Sequence, residues 1–107
     1  MRSQQHEIMS RLLHFLDMDA HGLRRFILQS IVEIGEFTVN SLYDTVSKQF
    51  DVSKKVVASM IGYICSRLGI LRVNRESYRS PKMYVLRKEY ADIARLVLLG
   101  PISYDRS

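Results

Sequence analysis

The side chains best placed to do chemistry are basic ones, concentrated in one part of the chain. Residues 51–71 carry Lys54, Lys55 and Arg67 against one acid, and residues 72–88 carry six bases, including Arg72, Arg75, Arg79 and Lys82, against one acid. The other segments nearly cancel: 1–20 sum to −1, 21–50 to 0 and 89–107 to −1. Ammonium and guanidinium groups grouped in this way neutralise phosphates and release their counterions. A localised basic patch fits a polyanion partner. It fits equally a solvated hairpin whose charge keeps the surface soluble.

Other chemistries find little support. There is no GxSxG, HExxH, P-loop or dinucleotide fingerprint, so no enzymatic activity is expected. In His14–His21 (HFLDMDAH), Asp17, Asp19 and His21 alternate as metal ligands on an extended segment would. The simpler reading is a helix end, with Asp19 capping the next helix and His14 on a surface, and no metal or cofactor is expected. Cys65, the one cysteine, excludes an internal disulfide or a CxxC site. Its place on a largely buried helix makes it a small apolar residue. Cytoplasm is the default compartment.

The element that must position Lys54 and Lys55 runs from Asp51 to Leu71, DVSKKVVASMIGYICSRLGIL. Ser53 can cap the first turn. The spacing predicts a helix over Lys54–Arg67, with Val57, Ile61, Ile64 and Leu68 as one apolar stripe. Gly69 is the expected stop. About fourteen helical residues span roughly 21 Å, enough to lie in a major groove. Opposite the stripe lie Lys55, Ala58, Ser59, Gly62 and Ser66. Glycine costs about 1 kcal/mol against alanine in a helix, so something should exploit the missing side chain at Gly62. A DNA backbone, the chain's own N-terminal helix and a partner helix are the three options. Between Val56 and Ser66 there is no Arg, Asn or Gln, the types that read base edges best.

Around this element, Gln4–Leu16 is predicted as a first helix, burying Ile8, Leu12, Phe15 and Leu16. Leu23–Ile34 is a second, with Leu23, Phe26, Ile27, Ser30, Ile31 and Ile34 inside, Arg24 and Arg25 outside, and Gly35 as stop. Phe37-Thr38 is expected to be extended, with Thr38 able to cap a third helix, Val39–Gln49, that buries Leu42 and Val46. Phe50 and Val52 should anchor the turn that follows. Beyond Gly69 the period becomes two: Leu71 and Val73 alternate with Arg72 and Asn74, Glu76–Pro81 forms the tip, and Lys82–Leu86 returns. Glu89–Leu99 is a last helix, stopped at Gly100-Pro101.

The apolar content, 47% of 107 residues, suffices for one core. The expected organisation is a single domain: an N-terminal helix in 1–20, a core in 22–87, a C-terminal helix in 88–100 and a tail in 101–107. No apolar run is long enough to span a membrane. The first residues, MRSQQHEIMSRLL, lack the uninterrupted apolar region of a signal peptide.

From Leu23 to Leu86 the chain resembles the winged helix-turn-helix superfamily. The resemblance is carried by LRRFILQSIVEIG, FTVNSLYDTVSKQF, the DVSKK turn, the helix ending SRLGIL and the hairpin RVNRESYRSPKMYVL. The whole chain also looks like a small uncharacterised archaeal winged-helix family. The implied fold is mostly α with a small antiparallel hairpin, an α+β winged helix with added terminal helices. In DNA-binding members the helix after the turn enters the major groove and the wing lies on the backbone or minor groove. Carried over, Lys54, Lys55, Ser59 and Arg67 face the groove, and Arg72, Arg75, Arg79 and Lys82 are wing contacts. Thr38 and Asn40 hold a phosphate at a helix N-terminus. Tyr78, between Arg75 and Arg79, either stacks on bases or sugars or simply covers the hairpin.

The resemblance implies double-stranded DNA binding and transcriptional regulation. Winged helices also serve as protein-docking modules within larger complexes, and weak sequence-independent DNA association is a third option. The terminal helices carry more apolar residues than one core needs, with Leu96 and Leu99 off the Ile93–Val97 stripe. A homodimer through those helices is therefore expected.

Overall fold

The described residues form five α-helices and three short strands, with a π-helical turn after the fourth helix: α1 (Arg2–Asp17), α2 (Leu23–Ile34), β1 (Glu36–Phe37), α3 (Val39–Ser47), α4 (Lys54–Tyr63), β2 (Leu71–Asn74), β3 (Met83–Leu86) and α5 (Lys88–Asp105). This is a computed structural model that describes residues 2–75 and 79–105, with side chains for 5–75 and 79–99. The class is α+β, as expected, but the hairpin has gained a strand. β3 is central in the order β1-β3-β2, and both pairings are antiparallel. Glu36 lies opposite Val85 and Phe37 opposite Tyr84; the two rings stack with centroids 5.6 Å apart. On the other side the register runs from Leu71–Leu86 to Asn74–Met83.

Local chemistry sets most boundaries. Asp19 caps α2 from upstream: its Oδ1 accepts from the backbone N–H of Gly22 and Arg24, and its Oδ2 from that of Arg25, each at 3.1 Å. Gly35 (φ 80°) ends α2 by donating to the Ile31 carbonyl at 2.8 Å. Thr38 opens α3 through a capping box: its Oγ1 accepts from Ser41 N at 3.1 Å while its own N–H donates to Ser41 Oγ at 2.9 Å. Ser53 Oγ accepts from Val56 N at 3.2 Å and opens α4.

The end of α4 differs from expectation. Instead of continuing as α-helix to Arg67, the chain makes a π-helical turn over Ile64–Leu68, closed by a Gly69 N–H to Ile64 carbonyl bond of 3.1 Å, and Gly69 leaves it at φ 72°. Ser66 Oγ donates to the Gly62 carbonyl at 2.8 Å. The stripe survives the change of period: Val57, Ile61, Ile64 and Leu68 are all buried. They join Ile8, Leu12 and Phe15 of α1, Ile27, Leu28 and Ile31 of α2, and Tyr90, Ala94 and Val97 of α5 in one core. Each buried Val, Leu, Ile or Phe among them contributes about 1.5–3 kcal/mol of transfer free energy.

Several expectations are corrected by packing. α2 meets α1, α3 and α5, so a single inner stripe understates its contacts. Leu28 is buried, Arg24 and Arg25 are half-buried, and Ile34, at the helix end where the chain turns away to β1, is 46% exposed. Val73 is exposed because only the Leu71 end of β2 lies on the core. α3 stops at Ser47, two residues before the predicted Gln49. Gly100-Pro101 does not end α5, which runs to Asp105. Pro101 forgoes one backbone bond, and the turns on both sides of it remain helical. Among the described residues no helix is long and apolar enough to cross a membrane.

Candidate functional site

The outer surface of α4 carries small residues along its middle. Lys55, Ser59, Gly62 and Ser66 follow one another along its exposed side. A Cβ built on Gly62 would meet nothing within 4 Å. Among the described residues none of the chain's own helices packs on this glycine. Lys54 and Lys55 are exposed in the first turn, and Arg67 is exposed at the far end.

The hairpin carries Arg72, Arg75, Arg79 and Lys82, all exposed. Tyr78 lies outside the described residues. The base of the hairpin is electrically tied to the end of α4 through Tyr84. Burial pushes the Tyr84 phenol above its ordinary value, the neighbouring Cys65 pushes it the same way, and Arg75 pulls it down. Arg75 thus sits within electrostatic reach of a phenol that adjoins the π turn. Thr38 is half-buried and engaged in its capping box, so its principal use is local, whereas Asn40 is exposed one residue into α3.

Two further cations stand on the opposite flank of α4, and both were missed in the sequence. Arg24 of α2 lays its guanidinium over the buried Phe15 ring, Cζ 4.7 Å from the centroid, and 5.8 Å from that of Tyr63. Phe15 and Tyr63 stack at 5.9 Å, and Arg24 Nη1 donates to the Phe15 carbonyl at 3.4 Å. Arg24 shares a cleft of about 450 Å³ with Lys55, Val56, Ser59, Met60 and Tyr63. Next to it, a second cleft of about 310 Å³ is lined by Ser10, Arg11, His14, Tyr63, Arg67 and Leu68. Arg11 Nη1 reaches the Arg67 carbonyl at 3.5 Å, and its Nη2 lies 3.6 Å from Glu7. The only signal in the sequence was two adjacent arginines at the edge of an apolar stripe. They part company in the fold, since Arg25 Nη1 turns to α5 and donates to the Leu98 carbonyl at 2.8 Å.

The Asp19 carboxylate is occupied by three backbone N–H groups, and among the described residues no three His, Cys, Asp or Glu side chains are placed to hold a metal.

A family described as "Protein of unknown function (DUF2551)" matches residues 12–94. The chain belongs to the DUF2551 family. It is also similar to an "Uncharacterized protein" of Archaeoglobus fulgidus, 36% identical over 93 residues that cover 86% of this chain and 93% of the relative. No solved structure matches. The matched span takes in α2, the sheet and α4, and so includes the candidate cations of α2, α4 and the hairpin, while Arg11 lies one residue before it.

Proposed function

We propose that this DUF2551 protein is a cytoplasmic, non-enzymatic winged helix-turn-helix protein that binds double-stranded DNA and acts in transcriptional regulation. The observation that supports this reading is α4 itself. It is capped by Ser53, bears Lys54 and Lys55 in its first turn, carries small residues along the middle of its outer face, and is followed by an antiparallel ribbon carrying Arg72, Arg75, Arg79 and Lys82. A helix of this kind fits a groove about 12 Å wide. With Ser59 and Gly62 at its centre it lies deep, and binding rests on phosphates and duplex shape more than on base edges.

The test is salt. With Lys54, Lys55 and three hairpin bases each neutralising a phosphate, log affinity for random duplex falls against log salt with a slope of about −4 to −5 per subunit. A slope near zero, or no measurable binding at low salt, removes the reading.

A second reading, a protein-docking module within a larger complex, draws on the small-residue face of α4 and on the terminal helices. Leu13, Leu96 and Leu99 are exposed, and a groove between α1 and α5 is lined by Met9, Ile93 and Leu96 among others. The occupant we favour is a second copy of the chain, giving a homodimer through the terminal helices. Sedimentation at micromolar concentration should return twice the monomer mass; a clean monomer sinks the dimer.

A further inference from the structure

We infer that the duplex is gripped on both flanks of α4. The hairpin holds one phosphate strand, and a second cationic track, built from Arg24 of α2 and Arg11 of α1 together with Lys55 and Arg67, holds the other. This rests on the duplex-binding reading and adds a site to it, one that draws on helices outside the turn, the reading helix and the ribbon.

The two clefts described above adjoin along one side of α4 and share Tyr63 as a common wall. Their linings contribute Arg24 and Lys55 to one, Arg11 and Arg67 to the other, and among the described residues no carboxylate to either. From Lys55 to Arg67 the rise along the helix is about 18 Å, enough for several successive phosphates. A helix about 10–12 Å across, laid in a major groove of similar width, has a phosphate strand on each side. The ribbon accounts for one of them, and the track lies on the side of the other.

Arg24 is prepared for the task. Its guanidinium rests on Phe15 and one N–H is spent on the Phe15 carbonyl. Five N–H donors per guanidinium leave others for an anion. Because ring and carbonyl already hold the side chain, little rotamer freedom is lost on binding. Arg11 is steadied in the same way by the Arg67 carbonyl. Its partner Glu7 is an exposed, loosely held neighbour in the next turn, a pairing that a phosphate readily displaces.

The experiment is ethylation interference on both strands of a bound duplex, together with the salt dependence of affinity, for the parent, Arg24→Gln, Arg11→Gln and Arg75→Ala. The parent should be blocked by ethylated phosphates on both strands. With the track the parent slope steepens to about −6, and Arg24→Gln and Arg11→Gln should lose interference on one strand and keep it on the other, each flattening that slope by about 0.9. Arg75→Ala should lose it on the opposite strand. Arg24→Lys keeps the charge and should restore the slope, which separates phosphate contact from a structural use of the arginine. If Arg24→Gln and Arg11→Gln bind and footprint like the parent while Arg75→Ala does not, the track is overturned and the duplex reading stands. Equal loss on both strands also overturns it. A parent that binds no duplex, or that binds polyglutamate as tightly, overturns both.

Discussion

The two flanks of α4 carry similar charge but hold it differently. On the ribbon side Arg72, Arg75 and Lys82 are exposed side chains, with Arg75 within electrostatic reach of Tyr84. On the helix side Arg24 is held between a ring and a carbonyl, while Arg11 makes longer, exposed contacts, 3.5 Å to the Arg67 carbonyl and 3.6 Å to Glu7. A long free side chain loses up to about 2 kcal/mol of rotamer freedom when a ligand fixes it. On the helix side folding has already taken part of that loss. The difference predicts that replacing Arg24 costs more stability than replacing a ribbon cation.

The strongest way to break the comparison is at Phe15, the floor under Arg24. Phe15→Ala should destabilise the protein by about 3–5 kcal/mol, read from a urea midpoint, whereas Arg72→Ala should stay within about 0.5 kcal/mol. Comparable losses from the two would erase the distinction between the flanks.

Asp19→Ala should cost about 1–2 kcal/mol, because it strips the cap from α2 and with it the positioning of Arg24. An unchanged midpoint would mean that water replaces the carboxylate without penalty. Gly62→Ala sharpens the comparison from the opposite direction. The site has room for a Cβ, so the protein should gain up to about 1 kcal/mol. A loss would mean that the outer face of α4 is covered after all.

The smallest effect lies at Tyr84, where the ribbon meets the π turn. Its raised phenol pKa means that the folded state keeps a proton which the unfolded chain gives up near pH 10. The contribution is fully present below pH 10 and is lost as pH rises from there through the folded value. Tyr84→Phe should therefore lose less stability than the parent across that range. Parallel pH profiles would show that the phenol is not shielded.

What could be read in the sequence was the chemistry that acts within a few residues. Ser53, Thr38, Asp19, Gly35 and Gly69 each do what their side chain, or the lack of one, dictates locally, and the Val57–Leu68 stripe faces inward. What could not be read depends on partners distant in the chain. Nothing near Glu36 announces that it will face Val85. The π turn meets α1, where a Cβ on Gly69 would lie 4.0 Å from both Arg11 and Ile8; helical periodicity contains no term for such a neighbour. Arg24 and Arg25 look equivalent on a helical projection, yet one goes to Phe15 and the other to Leu98. The candidate site divides along the same line. Its α4 and ribbon halves follow from charge and spacing, and its α1 and α2 half follows only from the fold.

The central strand of the sheet is the last one to be synthesised. At about 5–20 residues per second, roughly 2 to 10 s separate the appearance of Phe37 from that of Leu86. During that interval β1 has no strand to pair with, the Phe37 ring lacks Tyr84, and the Gly35 carbonyl lacks the Leu86 N–H that it accepts at 2.8 Å. Helices α1 to α4 can emerge and begin to pack while this edge stays open. Closing it joins segments nearly fifty residues apart, so on a growing chain the sheet is a late event, and a ribosome stalled before Lys82 would hold a nascent helical cluster with no β-structure between its parts.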